Sequence, residues 1–231
     1  VTIQTVGDRT SVRLTVEYLT APERNLNLEF STLNRAILFF ESGAFSQGSM
    51  QATRFGEFGA EQGLRYQERR LRSVLRWQDG QFHSIVLIRE GLPHTPQTER
   101  PVLQLSDLEG VWQGQAETRY PDGRSPELQP TQLSVSRRDE TVQYRLQWGD
   151  HKLSANAHLE DNLRLEFEQS RLLLLPDGAS LRFPLILPQR QPFQLEMGWL
   201  LAVGERQRLI RSYDASGAWT SVTLVTEQRV T

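Results

Sequence analysis

Arginine, glutamate and tryptophan are the residues of this 231-residue chain whose spacing could do chemistry. The densest set runs from Glu196-x-Gly-Trp199 to Arg206-Gln-Arg-Leu-Ile-Arg-Ser-Tyr213. On a strand, a period of two puts Arg206, Arg208 and Ile210 on one face, and Gln207, Leu209, Arg211 and Tyr213 on the other. An arginine that points inward needs a counter-charge, because an unpaired buried ion is very costly. Glu196 is an available partner. Two arrangements fit. In one, arginines grip the carboxylates of a ligand, Trp199 stacks on its body, and Trp112 of Gly110-Val-Trp112 adds a second aromatic. In the other, an Arg–Glu pair is structural, the remaining arginine is solvated, and Trp112 is core.

The first half carries a counterpart in Glu61, Arg69, Arg70 and Arg72. Five arginines, Arg65, Arg69, Arg70, Arg72 and Arg76, crowd one short stretch. Spread over both faces of a strand, they read as an exposed ribbon suited to a protein partner. Arginine suits such work because its planar fork holds carboxylates and stacks on aromatics. Lys152 is the only lysine, so the other 25 basic residues are arginine. A bias spread over the whole chain marks no site by itself.

Other chemistries find no footing. His83, His94, His151 and His158 show no metal-ligand spacing on a shared strand face, and there is no cysteine. A zinc site and a thiol nucleophile are therefore not expected. No Gly-x-Ser-x-Gly elbow supports a serine triad. Gly43-Ala-Phe-Ser-Gln-Gly48 lacks the Lys-Ser/Thr of a phosphate loop and reads as a turn. The expectation is a chain with no catalytic residues, no metal and no resident cofactor.

The elements that must position these residues are strands. Val12, Leu14, Val16 and Tyr18 alternate with polar positions, the pattern of a half-buried strand. Asp79-Gly80, Asp122-Gly123, Asp177-Gly178 and Ser216-Gly217 are hairpin signals. No window of 12 residues holds a clean helical period; short helical turns remain open, and Leu105 to Leu108 is one candidate.

The order of these signals occurs twice. Asn25-Leu-Asn-Leu-Glu-Phe30 returns as Asn162-Leu-Arg-Leu-Glu-Phe167, and Ile37–Ala44 returns as Leu172–Ala179. Phe58-x-x-Glu61-x-Gly63 returns as Phe193-x-x-Glu196-x-Gly198, and Asp79–Glu90 returns as Ser216–Glu227. A repeat of roughly 90 residues is too long for a solenoid unit and implies two copies of a small domain. The expected domains are residues 1–92 and 108–231, with a proline-containing linker at 93–107. Nothing in the first copy corresponds to Gly110-Val-Trp112, so the first unit is expected to lack its N-terminal strand.

With 38% hydrophobic residues, five Trp and ten Phe, each copy can bury a core. The net charge of −2 gives no reason to expect nucleic-acid binding. No apolar run reaches the length of a membrane-spanning helix.

The motifs carry a resemblance. Gly110-x-Trp112 at the start of a strand resembles the motif that closes one end of lipocalin-like barrels, where the Trp packs under an Arg of the last strand; here that would be Arg229. Leu173–Ala179, Phe193-x-Leu-Glu-x-Gly-Trp199, Arg206–Asp214 and Trp219–Glu227 resemble the C-terminal half of a cyanobacterial and chloroplast family of two-barrel, calycin-like proteins. Phe39–Gly48, Phe58–Glu61 and Arg69–Arg72 match its N-terminal half. The resemblance implies an all-β fold of two tandem antiparallel lipocalin/calycin-like barrels. It also implies a non-catalytic binding or assembly factor of a photosynthetic cell, located in the cyanobacterial cytoplasm or the chloroplast stroma. The plant member is a biogenesis factor for chloroplast ATP synthase, so the implied partner is an F1 subunit.

A more distant similarity is to S-type phycobiliprotein lyases, through Trp199 and the Arg206–Arg211 region. It leaves open a bilin carrier or chromophore lyase acting through the second barrel, with a phycobiliprotein as partner. Its ligand-binding set would be Trp112, Glu196, Trp199, Arg206, Arg208 and Arg211.

Overall fold

The computed structural model describes residues 2–6, 11–16, 22–31, 36–92 and 99–230. Tyr18, and the linker residues Pro93, His94 and Pro96, lie outside the described residues. The chain divides into two compact units, residues 1–37 and 38–231. The first unit holds an antiparallel sheet of β1 (Thr2–Val6), β2 (Ser11–Val16) and β3 (Leu26–Ser31), in that order. The alternating segment that begins near Thr10 is β2, in register with β3 through Val12–Phe30 and Arg13–Glu29.

The larger unit holds two sheets. The first is a five-stranded antiparallel meander of β4 (Ile37–Phe39), β5 (Phe45–Gly48), β6 (Glu57–Tyr66), β7 (Arg69–Gln78) and β8 (Gln81–Gly91). A single helical turn, α1 (Leu105–Leu108), follows where the sequence placed it. The second sheet is a closed barrel of ten antiparallel strands. In order these are β9 (Gly110–Arg119), β10 (Glu127–Arg138), β11 (Thr141–Trp148), β12 (His151–Asp161), β13 (Arg164–Glu166), β14 (Arg171–Leu175), β15 (Ala179–Phe183), β16 (Phe193–Ala202), β17 (Glu205–Tyr213) and β18 (Trp219–Val230). β18 pairs with β9 over Arg119–Val222 to Val111–Val230, and this pairing closes the ring. The chain is thus all-β, and its second copy forms a calycin-like barrel. Among the described residues, the first copy shows a three-stranded and a five-stranded antiparallel sheet.

The five-stranded sheet and the barrel share one core. Phe58, Leu64, Leu71, Leu75 and Trp77 on the sheet pack with Leu181, Phe183, Leu195, Met197, Leu209 and Leu224 on the outer wall of the barrel. All are almost completely buried. Each such side chain is worth about 1.5–3 kcal/mol when removed from water. This apolar layer corrects the expectation of two copies with separate cores. Polar clasps fix its register: Gln62 donates to the carbonyls of Leu195 and Leu209, and the Trp77 indole donates to the carbonyl of Pro184.

The barrel has its own interior, lined by Trp112, Leu133, Val135, Val142, Leu165, Leu172 and Leu174. Strands β15–β18 are largely buried on both faces. One face meets the lumen and the other meets the sheet.

The segment before the barrel is bound to it. Leu103 donates its N–H to the Leu175 carbonyl, and Leu103, Leu105 and Leu108 join the interior cluster. Residues 99–107 of the expected linker therefore plug one end of the barrel.

Candidate functional site

Backbone geometry builds the closed end of the barrel first. Gly110 has φ of +118°, a conformation that glycine adopts without strain. It starts β9 so that Trp112 enters the lumen completely buried. The Trp112 indole donates to the Leu108 carbonyl at 2.8 Å. Arg206 lies 4.4 Å and Arg229 4.9 Å from its ring centroid, and Arg229 also donates to the Asp107 carbonyl. The Arg229–Trp112 contact anticipated from Gly110-x-Trp112 is present. Trp112 is sealed between two guanidiniums, so it is a floor and offers no free face to a ligand.

Above this floor stands a ladder of buried charge. Arg206 Nε donates to Glu227 Oε1 at 2.6 Å, and Arg208 Nε donates to the same oxygen at 2.9 Å. Arg208 Nη1 reaches Glu196 at 3.4 Å. Glu227 is completely buried, and the side chains of Arg206 and Arg208 are nearly so. Burial alone would raise the Glu227 carboxyl, but the guanidiniums of Arg206 and Arg208 more than offset this and hold it below the usual carboxylate range. Gly198 lies opposite Arg208 in the register, where a Cβ would collide with the Ser180 hydroxyl.

The first copy repeats the ladder. Arg72 pairs with Glu61 and, at 2.9 Å, with Glu90; Arg70 Nε donates to Glu90 at 2.6 Å. The register is the same in both copies. Gly63, Arg72 and Ile88 stand abreast as Gly198, Arg208 and Val225 do. Arg70 faces Glu90 as Arg206 faces Glu227. Glu61, Arg70, Arg72 and Glu90 are thus the counterparts of Glu196, Arg206, Arg208 and Glu227.

Several sequence expectations are corrected. Arg211 and Trp199 face away from the lumen, toward the sheet. Arg211 is completely buried, stacks on Trp219 at 3.7 Å and donates to the Tyr213 hydroxyl at 2.7 Å. Its terminal nitrogens reach Ser46, Gly48 and Ser49 on the sheet side. The Trp199 indole donates to the Asp177 carbonyl, with Arg69 and Arg100 over its ring. Neither residue can line a lumenal ligand site together with Glu196, Arg206 and Arg208.

The arginine ribbon also differs from its exposed reading. Arg69 donates twice to the buried Asp177, at 2.9 and 2.7 Å, and Arg100 donates to the same carboxylate. Arg70 and Arg72 are half-buried in the ladder. Arg65 and Arg76 alone of the five are exposed.

The end of the barrel away from Trp112 is open. A cavity of about 480 Å³ lies there, lined by Arg182, Glu196, Gln194, Ser212, Phe193 and Thr220 among others. Arg182 enters from β15, stacks on Phe167 at 3.9 Å and donates through Nε to Ser170 at 2.9 Å. Burial pushes its guanidinium below its ordinary range. On the same Phe167 ring packs Tyr144, whose buried hydroxyl has no hydrogen-bond partner. Burial pushes the Tyr144 phenol up to about 12. Sequence reasoning missed Glu227, Arg182 and Tyr144. Glu227 was signalled by its match to Glu90, and Arg182 by standing alone between Leu181 and Phe183. Among the described residues, no cluster of three His, Cys, Asp or Glu side chains is arranged to hold a metal ion.

A closed antiparallel barrel with a Trp floor and an internal charge ladder defines a calycin-like fold. Comparison with known proteins sharpens this class. Residues 99–230 match the family profile described as biogenesis factor required for ATP synthase 1, C-terminal domain. Residues 1–95 match the N-terminal domain of unknown function DUF3598. The chain belongs to this family. A crystal structure of a DUF3598-family protein of unknown function from Nostoc punctiforme is similar over 99% of this chain and 86% of that one, with 39% identity and a TM-score of 0.88. An S-type phycobiliprotein lyase from Guillardia theta is similar over 55% of this chain and 90% of its own, with 10% identity and a TM-score of 0.44. No curated protein matches significantly.

Proposed function

We propose that this chain is a non-catalytic assembly factor that holds a subunit of the F1 sector of ATP synthase during biogenesis, in the cyanobacterial cytoplasm or the chloroplast stroma. The observation that carries this reading is the family match over residues 99–230, which spans α1 and the whole barrel. The geometry supports it in a second way. The charged residues that looked available for ligand chemistry are largely paired with one another inside the fold, which leaves the surface as the place for a partner. Arg76 near the end of β7 and Phe55 in the adjoining loop lie at one end of the five-stranded sheet, and Phe55 is 85% exposed. The enzymatic alternative, a bilin lyase, is weakened because Trp199 and Arg211 turn away from the lumen. No helix among the described residues is long and apolar enough to cross a membrane.

The test is capture of purified, individual F1 subunits by the tagged protein. Retention of at least one subunit is expected, weakened by the pair Phe55→Ala and Arg76→Glu. Failure to retain any F1 subunit would sink the reading.

A further inference from the structure

We propose that the open end of the ten-stranded barrel binds a small organic monocarboxylate with an apolar body, anchored on Arg182. This goes beyond the assembly reading and does not depend on it.

The two copies differ at one position of the charge ladder. In the first copy, Gln47 stands opposite Glu61 and donates to its Oε2 at 2.7 Å. With two arginines and two glutamates, that ladder is neutral. In the second copy the same place, opposite Glu196, is held by Arg182. Among the described residues Arg182 forms no ion pair, and its one hydrogen bond uses Nε, which leaves its terminal nitrogens facing the cavity. The ladder there holds Arg182, Arg206 and Arg208 against Glu196 and Glu227, a surplus of one positive charge. A surplus cation that is only partly exposed loses hydration and is disfavoured unless an anion joins it. The Nη pair of one guanidinium matches one carboxylate in two-pronged fashion.

The surroundings fit that ligand. The cavity of about 480 Å³ falls within the range of about 300–1,000 Å³ usual for small-molecule sites. Phe193, Pro184 and Pro192 give it apolar walls. Asp214 on the rim is held in its own turn, where its Oδ1 accepts the N–H groups of Ser216 and Ala218. One free guanidinium implies one carboxylate, which sets this ligand apart from a dicarboxylate tetrapyrrole.

The experiment titrates the purified chain with a dansyl-labelled fatty acid, its methyl ester and the corresponding primary amine, followed by dansyl emission. The acid is expected to bind about tenfold to a hundredfold more tightly than the ester, the range of a charged hydrogen bond. Arg182→Gln should erase that preference, whereas Arg145→Gln on the exposed outer wall should keep it. Gln194→Trp, which narrows the mouth and leaves Arg182 in place, should weaken the acid and keeps the idea testable if Arg182→Gln folds poorly. Equal affinity for acid and ester, an unchanged preference in Arg182→Gln, unchanged acid binding in Gln194→Trp, or no binding of any probe would each overturn the proposal.

Discussion

The two charge ladders share four residues and one register but occupy different environments. In the second copy Glu227 is completely buried, and Arg206 and Arg208 retain 4% and 7% of their side-chain exposure. In the first copy Glu61, Arg70, Arg72 and Glu90 each retain about a sixth. Solvent near the first ladder softens both the attraction and the cost of losing a partner. The closed barrel around the second does neither. One duplicated constellation therefore serves in one place as a tolerant surface-facing brace and in the other as an interior that must balance its charge.

Removing the acidic hub from each ladder should break the equivalence most visibly. Glu227→Ala strands two buried guanidiniums and is expected to cost about 3–5 kcal/mol. Glu90→Ala leaves Arg70 and Arg72 able to reach water and should cost about 1 kcal/mol. Urea unfolding of both variants measures the difference, and equal losses would mean that burial does not separate the ladders.

Acid should reveal the second ladder at intermediate scale. The folded-state pKa of Glu227 is depressed, so its stabilising effect is complete above its unfolded value near about 4.3 and is lost as pH falls through the folded value. The stability gap between wild type and Glu227→Gln should therefore narrow below about pH 4. Urea midpoints across that range give the answer, and a constant gap would contradict the depressed carboxyl.

The smallest effect belongs to Arg182→Gln, which gives the second copy the residue of the first. Without ligand, loss of a surplus, partly exposed cation should leave stability unchanged or raise it by up to about 1 kcal/mol. A loss of several kcal/mol in a thermal melt would show that Arg182 has a structural role that its one hydrogen bond to Ser170 does not explain.

Much of this architecture was legible without coordinates. The alternation of Val12, Leu14 and Val16, the Asp-Gly and Ser-Gly turns and the long internal repeat sufficed for an all-β, duplicated chain. Gly110-x-Trp112 sufficed for a closed barrel end with Arg229 over the ring. Leu105 to Leu108 was legible as a helical turn. Period two also separated Arg206 and Arg208 from Arg211, because side chains on a strand alternate regardless of context.

What period two cannot supply is the identity of the space that each face meets. Both faces of β17 are buried, one by a lumen and one by a second sheet, so alternation put Arg211 on the other face from Arg208 but could not say that this face packs against a sheet. The partner of each charge was equally hidden. Glu227 comes from the next strand, and Asp177 meets Arg69 only because the sheet lies on the barrel wall. Sequence order fixes which residues alternate along a strand; long-range packing decides which cations are paired and that Arg182 faces a cavity.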